Sequence, residues 1–170
     1  MPQRVKITFL EDDVKEWPLL EDEMRRRGIT EFEFYQSGMN FLAALPAEPP
    51  QVCVIDFKLS HDINMDGLKI MLDAKRVCED CYFIIVTGQL PESRKEDILI
   101  GLIKAHADDY IKKKPGLAYY EELIEATIIG RQEVRKRIQK KEALKEAEQW
   151  LKDKLTYLNE KIKHLPGNDT

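Results

Sequence analysis

Val52-Cys53-Val54-Ile55-Asp56 joins a continuous apolar run to a single terminal carboxylate. A run this short and this apolar fits a central strand covered on both faces. Other runs repeat the arrangement. Upstream, Val5 to Leu10 stops at Glu11-Asp12-Asp13. Downstream, Tyr82 to Val86 stops at Thr87, and Asp109-Tyr110-Ile111 leads into Lys112, Lys113 and Lys114. In an open α/β sheet, ligands bind beyond the carboxyl ends of the strands. If these strands are parallel neighbours, three or four carboxylates, a hydroxyl and an ammonium converge at one edge. Such an edge suits a divalent cation and a transferred phosphoryl group.

Helical segments alternate with the strands, which argues for a parallel sheet covered on both faces. The first helix is expected over Val14 to Arg27, with Trp17, Leu20 and Met24 on one face and Gly28 as its stop. Glu31 to Gln36 alternates Phe32 and Phe34 with polar residues, as a strand exposed on one face does. A short helix over Met39 to Leu45 ends at Pro46 and Pro49-Pro50. The third helix is expected over Gly67 to Glu79. The fourth begins near Pro91, which suits a first turn, and reaches Ala105. The last strand covers Asp109 to Lys112 or Lys113.

From Leu117 to about His164 the chain has no proline and a single glycine, Gly130. Leu123, Ile124, Thr127 and Ile128 are expected to pack against the sheet as a fifth helix. Further on, Leu144, Leu151 and Leu158 recur at seven, with Leu155 and Ile162 in the complementary places of a heptad seam. Lys141 and Glu148 interrupt that seam, so it is strong toward its end. Leu165-Pro166-Gly167 stops the helix. An isolated polar helix is marginal in water, so a partner is expected. The organisation read from this pattern is a domain over 1–130 and a helical extension, a candidate coiled coil, over 131–170.

A chain of 170 residues that is 43% hydrophobic supports a packed core, and 34% charged residues point to an additional solvated element. A net charge of -4 gives no global case for nucleic-acid or membrane binding. Basic residues exceed acidic ones between Arg131 and Lys145, but no aromatics interleave them, and a solvated helix face is the better reading. No apolar run approaches the ~18 residues of a membrane span, and the N-terminus lacks an apolar signal core. The expectation is a cytoplasmic protein. Cys78 and Cys81 make one C-x-x-C, without the second pair of a four-ligand zinc site. They close a helix rather than open one, so they read as small apolar residues at a joint. His61, His106 and His164 read as loop or surface residues.

Bottom-up, Asp56 is the candidate phospho-acceptor, since it stands alone at the end of the most buried strand. A carboxylate attacking a phosphoryl group must overcome charge repulsion, which a metal relieves. Magnesium prefers oxygen ligands, and the acids after the first strand supply them.

Five segments together resemble a response-regulator receiver domain, the phospho-acceptor module of two-component signalling. They are Ile7-Thr8-Phe9-Leu10-Glu11-Asp12-Asp13, Val54-Ile55-Asp56-Phe57-Lys58-Leu59, Asp66-Gly67-Leu68, Ile84-Ile85-Val86-Thr87-Gly88 and Ala107-Asp108-Asp109-Tyr110-Ile111-Lys112-Lys113. The resemblance covers roughly residues 4 to 130. It implies a doubly wound, flavodoxin-like five-stranded parallel sheet of order 2-1-3-4-5, here followed by an extended C-terminal helix. It implies Mg²⁺ or Mn²⁺ held by Asp12 and Asp56, by Glu11 largely through water, and by the backbone carbonyl of Lys58. Asp13 falls one place beyond, facing solvent or capping the first helix. Thr87 corresponds to the hydroxyl that binds the phosphoryl group and Tyr110 to the aromatic switch. Gln89 and Lys58 lie where family members tune dephosphorylation. The conserved-type lysine is Lys113 by its distance from Tyr110 and Lys114 by counting back from Pro115; strand alternation favours Lys113. The implied partners are a histidine kinase or phosphotransfer protein, together with a homodimer through the C-terminal helix.

Three departures mark this chain. The loop Ser60 to Met65 is enlarged, the segment between Thr87 and Tyr110 is long, and His106 stands where a glycine is usual and needs a left-handed backbone. Two other readings compete with the signalling switch. One is a degenerate receiver serving as a constitutive dimerisation or scaffold module. The other is a phosphohydrolase of the haloacid-dehalogenase kind, disfavoured because Lys58 stands where its second aspartate belongs. For the tail, a dimerising helix and the start of a longer protein both stay open.

Overall fold

The computed structural model describes residues 6–47, 49–59, 66–88 and 95–163. Expectations placed on His61 and its loop, on Gln89 and Pro91, and on His164 and the Leu165-Pro166-Gly167 stop lie outside the described residues. The chain divides into two compact units, Met1–Arg135 and Lys136–Thr170.

The first unit is built on five parallel strands, β1 Ile7–Leu10, β2 Phe32–Tyr35, β3 Val52–Asp56, β4 Tyr82–Thr87 and β5 Asp109–Lys112, in the order β2-β1-β3-β4-β5. Helices α1 Trp17–Arg26, α2 Gly38–Ala44, α3 Gly67–Lys75 and α4 Lys95–Lys104 connect them, and α5 spans Leu117–Lys163. The apolar runs occupy the centre: β1, β3 and β4 are buried throughout, while edge strand β2 is half-buried. This is the doubly wound fold and strand order expected, with its long terminal helix.

Helix boundaries shift for local reasons. Helix α1 starts at Trp17 rather than Val14, with Pro18 in its first turn, where a missing N–H costs nothing. Before it, Asp13–Glu16 forms a turn closed by the Glu16 amide on the Asp13 carbonyl at 3.1 Å. Helix α3 ends at Lys75 rather than Glu79. There the hydrogen bonds tighten to i−3, from Arg76 to Asp73 and from Val77 to Ala74, and the chain leaves the helix axis. His106 does adopt the left-handed conformation, at φ 54°. The Ala107 amide bonds back to Leu102 O at 3.1 Å, which is the six-to-one bond of a Schellman stop. The Lys75 ammonium donates to the carbonyls of Ala105 and His106, holding that turn from the neighbouring helix.

Two glycines mark close approaches. A Cβ on Gly67 would lie 2.5 Å from the Asp56 carbonyl oxygen and 2.8 Å from Phe57 Cα, so α3 begins directly against the end of β3. A Cβ on Gly130 would meet the Tyr82 ring at 2.7 Å, which lets α5 pass over the start of β4.

In the second unit, every residue from Gln139 to Lys163 is exposed. Leu144, Leu151, Leu155, Leu158 and Ile162, the heptad positions, are each at least half exposed, at 50 to 60%.

Gly67→Ala drives a methyl into backbone that cannot move aside, and is expected to cost about 2–3 kcal/mol. Gly130→Ala presses on the buried Tyr82 ring rather than on backbone, and a helix-propensity gain of about 1 kcal/mol recovers part of the cost, leaving a smaller loss than at Gly67. Urea unfolding of both variants checks the contrast; equal losses would contradict it.

Candidate functional site

Strand register assembles the site. Leu10 pairs with Ile55, so Glu11 emerges from the sheet beside Asp56. Asp56 pairs with Val86, and Thr87 with Lys112, which places the hydroxyl and the lysine run on the next two strands. Ladder bonds continue past the strand ends and stiffen this edge. Glu11 N–H donates to Tyr35 O at 3.0 Å, Phe57 N–H to Val86 O at 2.7 Å, and Lys113 N–H to Thr87 O at 2.7 Å. From the far side, the Gly67 amide donates to Phe57 O at 2.9 Å. An aromatic stack of Phe9, Phe34 and Trp17 backs Glu11, with ring centroids 5.1 Å apart, and the Trp17 indole N–H donates to Glu11 O at 3.3 Å.

Asp56 is buried at 6% exposure. Its Oδ1 accepts the Lys58 amide at 3.1 Å and its Oδ2 accepts the Lys113 ammonium at 2.9 Å. The same ammonium donates to Glu11 Oε2 and stands 3.9 Å from Glu16 Oε2. Lys114 points elsewhere and pairs with Glu122 at 2.8 Å on the surface. Carboxylate oxygens of Glu11, Asp12 and Asp56 lie within 4.8 Å of one another. Thr87 is buried and Tyr110 is exposed at 36%. Asp13 is exposed; its amide donates to Glu11 Oε1 at 3.0 Å, and its own Oδ1 accepts the Lys15 amide at 3.1 Å.

Three carboxylates thus share one ammonium, with Asp12 beside two of them, and the electrostatics record the surplus. Burial and the charge of Asp56 push the Glu11 carboxyl up from 4.5 to about 7, although Lys113 pulls the other way. Burial raises Glu16 as well, against the pull of Lys113. For Lys113 itself burial works to lower the pKa, but its bonds to Glu11 and Asp56 outweigh burial and hold it charged, well above its ordinary value. Even Tyr119, also buried, is raised by burial and then by Glu16, Glu11 and Asp56. A cluster of hard oxygen donors with unneutralised negative charge fits a small divalent cation, and Glu11, Asp12 and Asp56 are the residues that could hold it.

Three neighbours were not singled out from the sequence. Glu16, Tyr119 and Tyr120 line the recess beside Glu11 and Asp56. Helix periodicity assigns such residues to a face, but only packing decides that this face meets the strand ends.

No family model and no curated protein matches the chain. Solved structures do. The chain resembles an adenylate cyclase structure from Rhodopirellula baltica (TM-score 0.68, 17% identity, covering 84% of this chain and 98% of that one). It resembles a CheY-like response regulator receiver domain protein from Methanospirillum hungatei (TM-score 0.66, 22% identity, 79% and 99%). It also resembles the signal receiver domain of a LuxO repressor protein from Vibrio parahaemolyticus (TM-score 0.66, 18% identity, 81% and 97%). The first unit therefore has the fold of response-regulator receiver domains. Among the described residues, no helix is long and apolar enough to cross a membrane.

Lys113→Met removes the cation shared by Glu11 and Asp56. It is expected to cost about 2–3 kcal/mol at neutral pH, below the roughly 3–5 kcal/mol of a fully buried broken pair, since Lys113 keeps 20% exposure. The folded pKa of Glu11 lies above its unfolded value, so ionisation of Glu11 destabilises the fold as pH rises from 4.5 through about 7. Without Lys113 that penalty grows. The loss should therefore be larger at pH 8 than at pH 5.5, as thermal denaturation at the two pH values would report.

Proposed function

We propose that this chain is a phospho-accepting signalling switch, taking a phosphoryl group from a histidine kinase or phosphotransfer protein onto Asp56. The observation that carries this reading is the Lys113 ammonium 2.9 Å from the buried Asp56 carboxylate, inside a cluster of acids that exceeds it in charge.

An Asp56 oxygen attacks phosphorus, and the bond from phosphorus to the donor's imidazole nitrogen breaks. A Mg²⁺ or Mn²⁺ ion held by Asp12, Asp56, the Lys58 carbonyl and, through water, Glu11 would neutralise the charge that opposes attack. Lys113 contributes a flexible point charge to the developing negative charge on the phosphoryl oxygens. The Asp56 Oδ1 bond to the Lys58 amide orients the carboxylate for attack. Ladder bonds at Phe57 and Lys113 keep nucleophile and ammonium on rigid strand ends rather than on loops. Thr87 then donates its hydroxyl to a phosphoryl oxygen, and Tyr110, exposed in this state, turns inward. Phosphorylation acts as a switch to the extent that it binds one arrangement better than the other. The acyl phosphate is then lost slowly as water attacks phosphorus, releasing inorganic phosphate and restoring the Asp56 carboxylate in a self-catalysed hydrolysis.

Output runs through the heptad positions of α5. Leu144, Leu151, Leu155, Leu158 and Ile162 are exposed on a helix that, as a single strand, water would barely support, and pairing with a second copy covers them.

Intact mass after incubation with acetyl phosphate and Mg²⁺ is expected to show one phosphoryl adduct, absent from Asp56→Asn and absent with chelator. No adduct in the wild type, from acetyl phosphate or from a phosphorylated phosphotransfer protein, would leave the scaffold reading in its place.

For the seam, Leu151→Asp combined with Leu158→Asp is expected to convert a dimer to a monomer by light scattering while the adduct still forms. An unchanged dimer mass would move the interface elsewhere.

A further inference from the structure

The edge of the sheet opposite the acidic site carries a second cluster. Cys53 lies near the start of β3, Cys78 just beyond α3, and Cys81 immediately before β4. They are the chain's three cysteines, and all three are buried. Their sulfurs lie within 4.8 Å of one another. No fourth His, Cys, Asp or Glu joins them among the described residues. Oxygen reaches the cluster as the backbone carbonyls of Ala74, 3.1 Å from Cys78 Sγ, and of Pro50, 2.5 Å from Cys81 Sγ. The surroundings are apolar core, including Phe41, Ile70, Met71 and Phe83.

From this geometry we propose that Cys53, Cys78 and Cys81 form a three-sulfur site for a soft monovalent cation, cuprous ion. Thiolate sulfur selects soft ions. A structural zinc ion takes four ligands, and here the protein offers three. Hard ions such as magnesium would find no carboxylate. Binding is a ligand exchange: each sulfur that coordinates as thiolate gives its proton to solvent, the copper stays cuprous, and no sulfur is oxidised. In this structure the Cys78 and Cys81 thiols donate to Ala74 O and Pro50 O, and those are protons that coordination releases. At 7% exposure, Cys78 is also the rim of the site and the place of entry.

The test is an anaerobic titration of the full chain with Cu⁺ held by a chromophoric Cu⁺ chelator. One equivalent is expected to leave the chelator for the protein, and alkylation of Cys78 by iodoacetamide should slow on binding. Cys53→Ser risks the core, so the decisive variant is Cys78→Ala at the rim, its fold checked by circular dichroism. Loss of an outer support to a metal ligand typically costs about 10–100-fold in affinity; loss of a ligand itself should cost at least about 100-fold. Failure of the protein to withdraw Cu⁺, equal affinity in Cys78→Ala, or displacement of Cu⁺ by equimolar Zn²⁺ would each overturn the proposal.

Discussion

The Lys113 ammonium is the interaction on which this structure depends. It follows β5 directly and bonds carboxylates that follow β1 and end β3, so one cation ties three strands at a single edge. Without it, Glu11, Glu16 and Asp56 would lose the cation they share in this recess. Even with it, Glu11 is pushed up to about 7. The fold thus keeps a surplus of negative charge where the strands end, and that surplus makes the edge receptive to a further cation.

That edge is held stiff from every side. Ladder bonds run past the strand ends at Glu11, Phe57 and Lys113, and α3 starts in contact with the Asp56 and Phe57 backbone because Gly67 has no side chain to prevent it. Precision at the carboxylate therefore comes from backbone. Tyr110, by contrast, is 36% exposed on β5, where Thr87 is buried.

The two ends of the sheet carry opposite chemistries. Hard oxygen donors and an ammonium gather at the carboxyl ends; soft sulfur gathers at the amino ends, within the apolar core. Both follow from the same parallel topology, which sends every strand start to one side and every strand end to the other.

Much of this was legible in the residues because it is periodic or local. Apolar runs marked the strands, the alternation with helices marked the parallel sheet, and Asp56 stood at the end of the most buried run. His106 declared its left-handed turn by standing where glycine is usual. What depends on distance along the chain was not legible. Lys113 and Lys114 are adjacent and chemically alike; β5 register sends one to Asp56 and the other to Glu122 on the surface. Glu16 and Tyr119 needed the packing of α1 and α5 beside the strand ends. Cys53 lies 25 residues before Cys78, so the sequence displayed a pair where tertiary structure made a trio. Sequence by itself determined the elements and the buried carboxylate that ends β3, because burial and periodicity are properties of short segments. Tertiary structure alone decided which charges meet and which sulfurs converge, because electrostatic and ligand contacts depend on distances in space that the order of residues does not set.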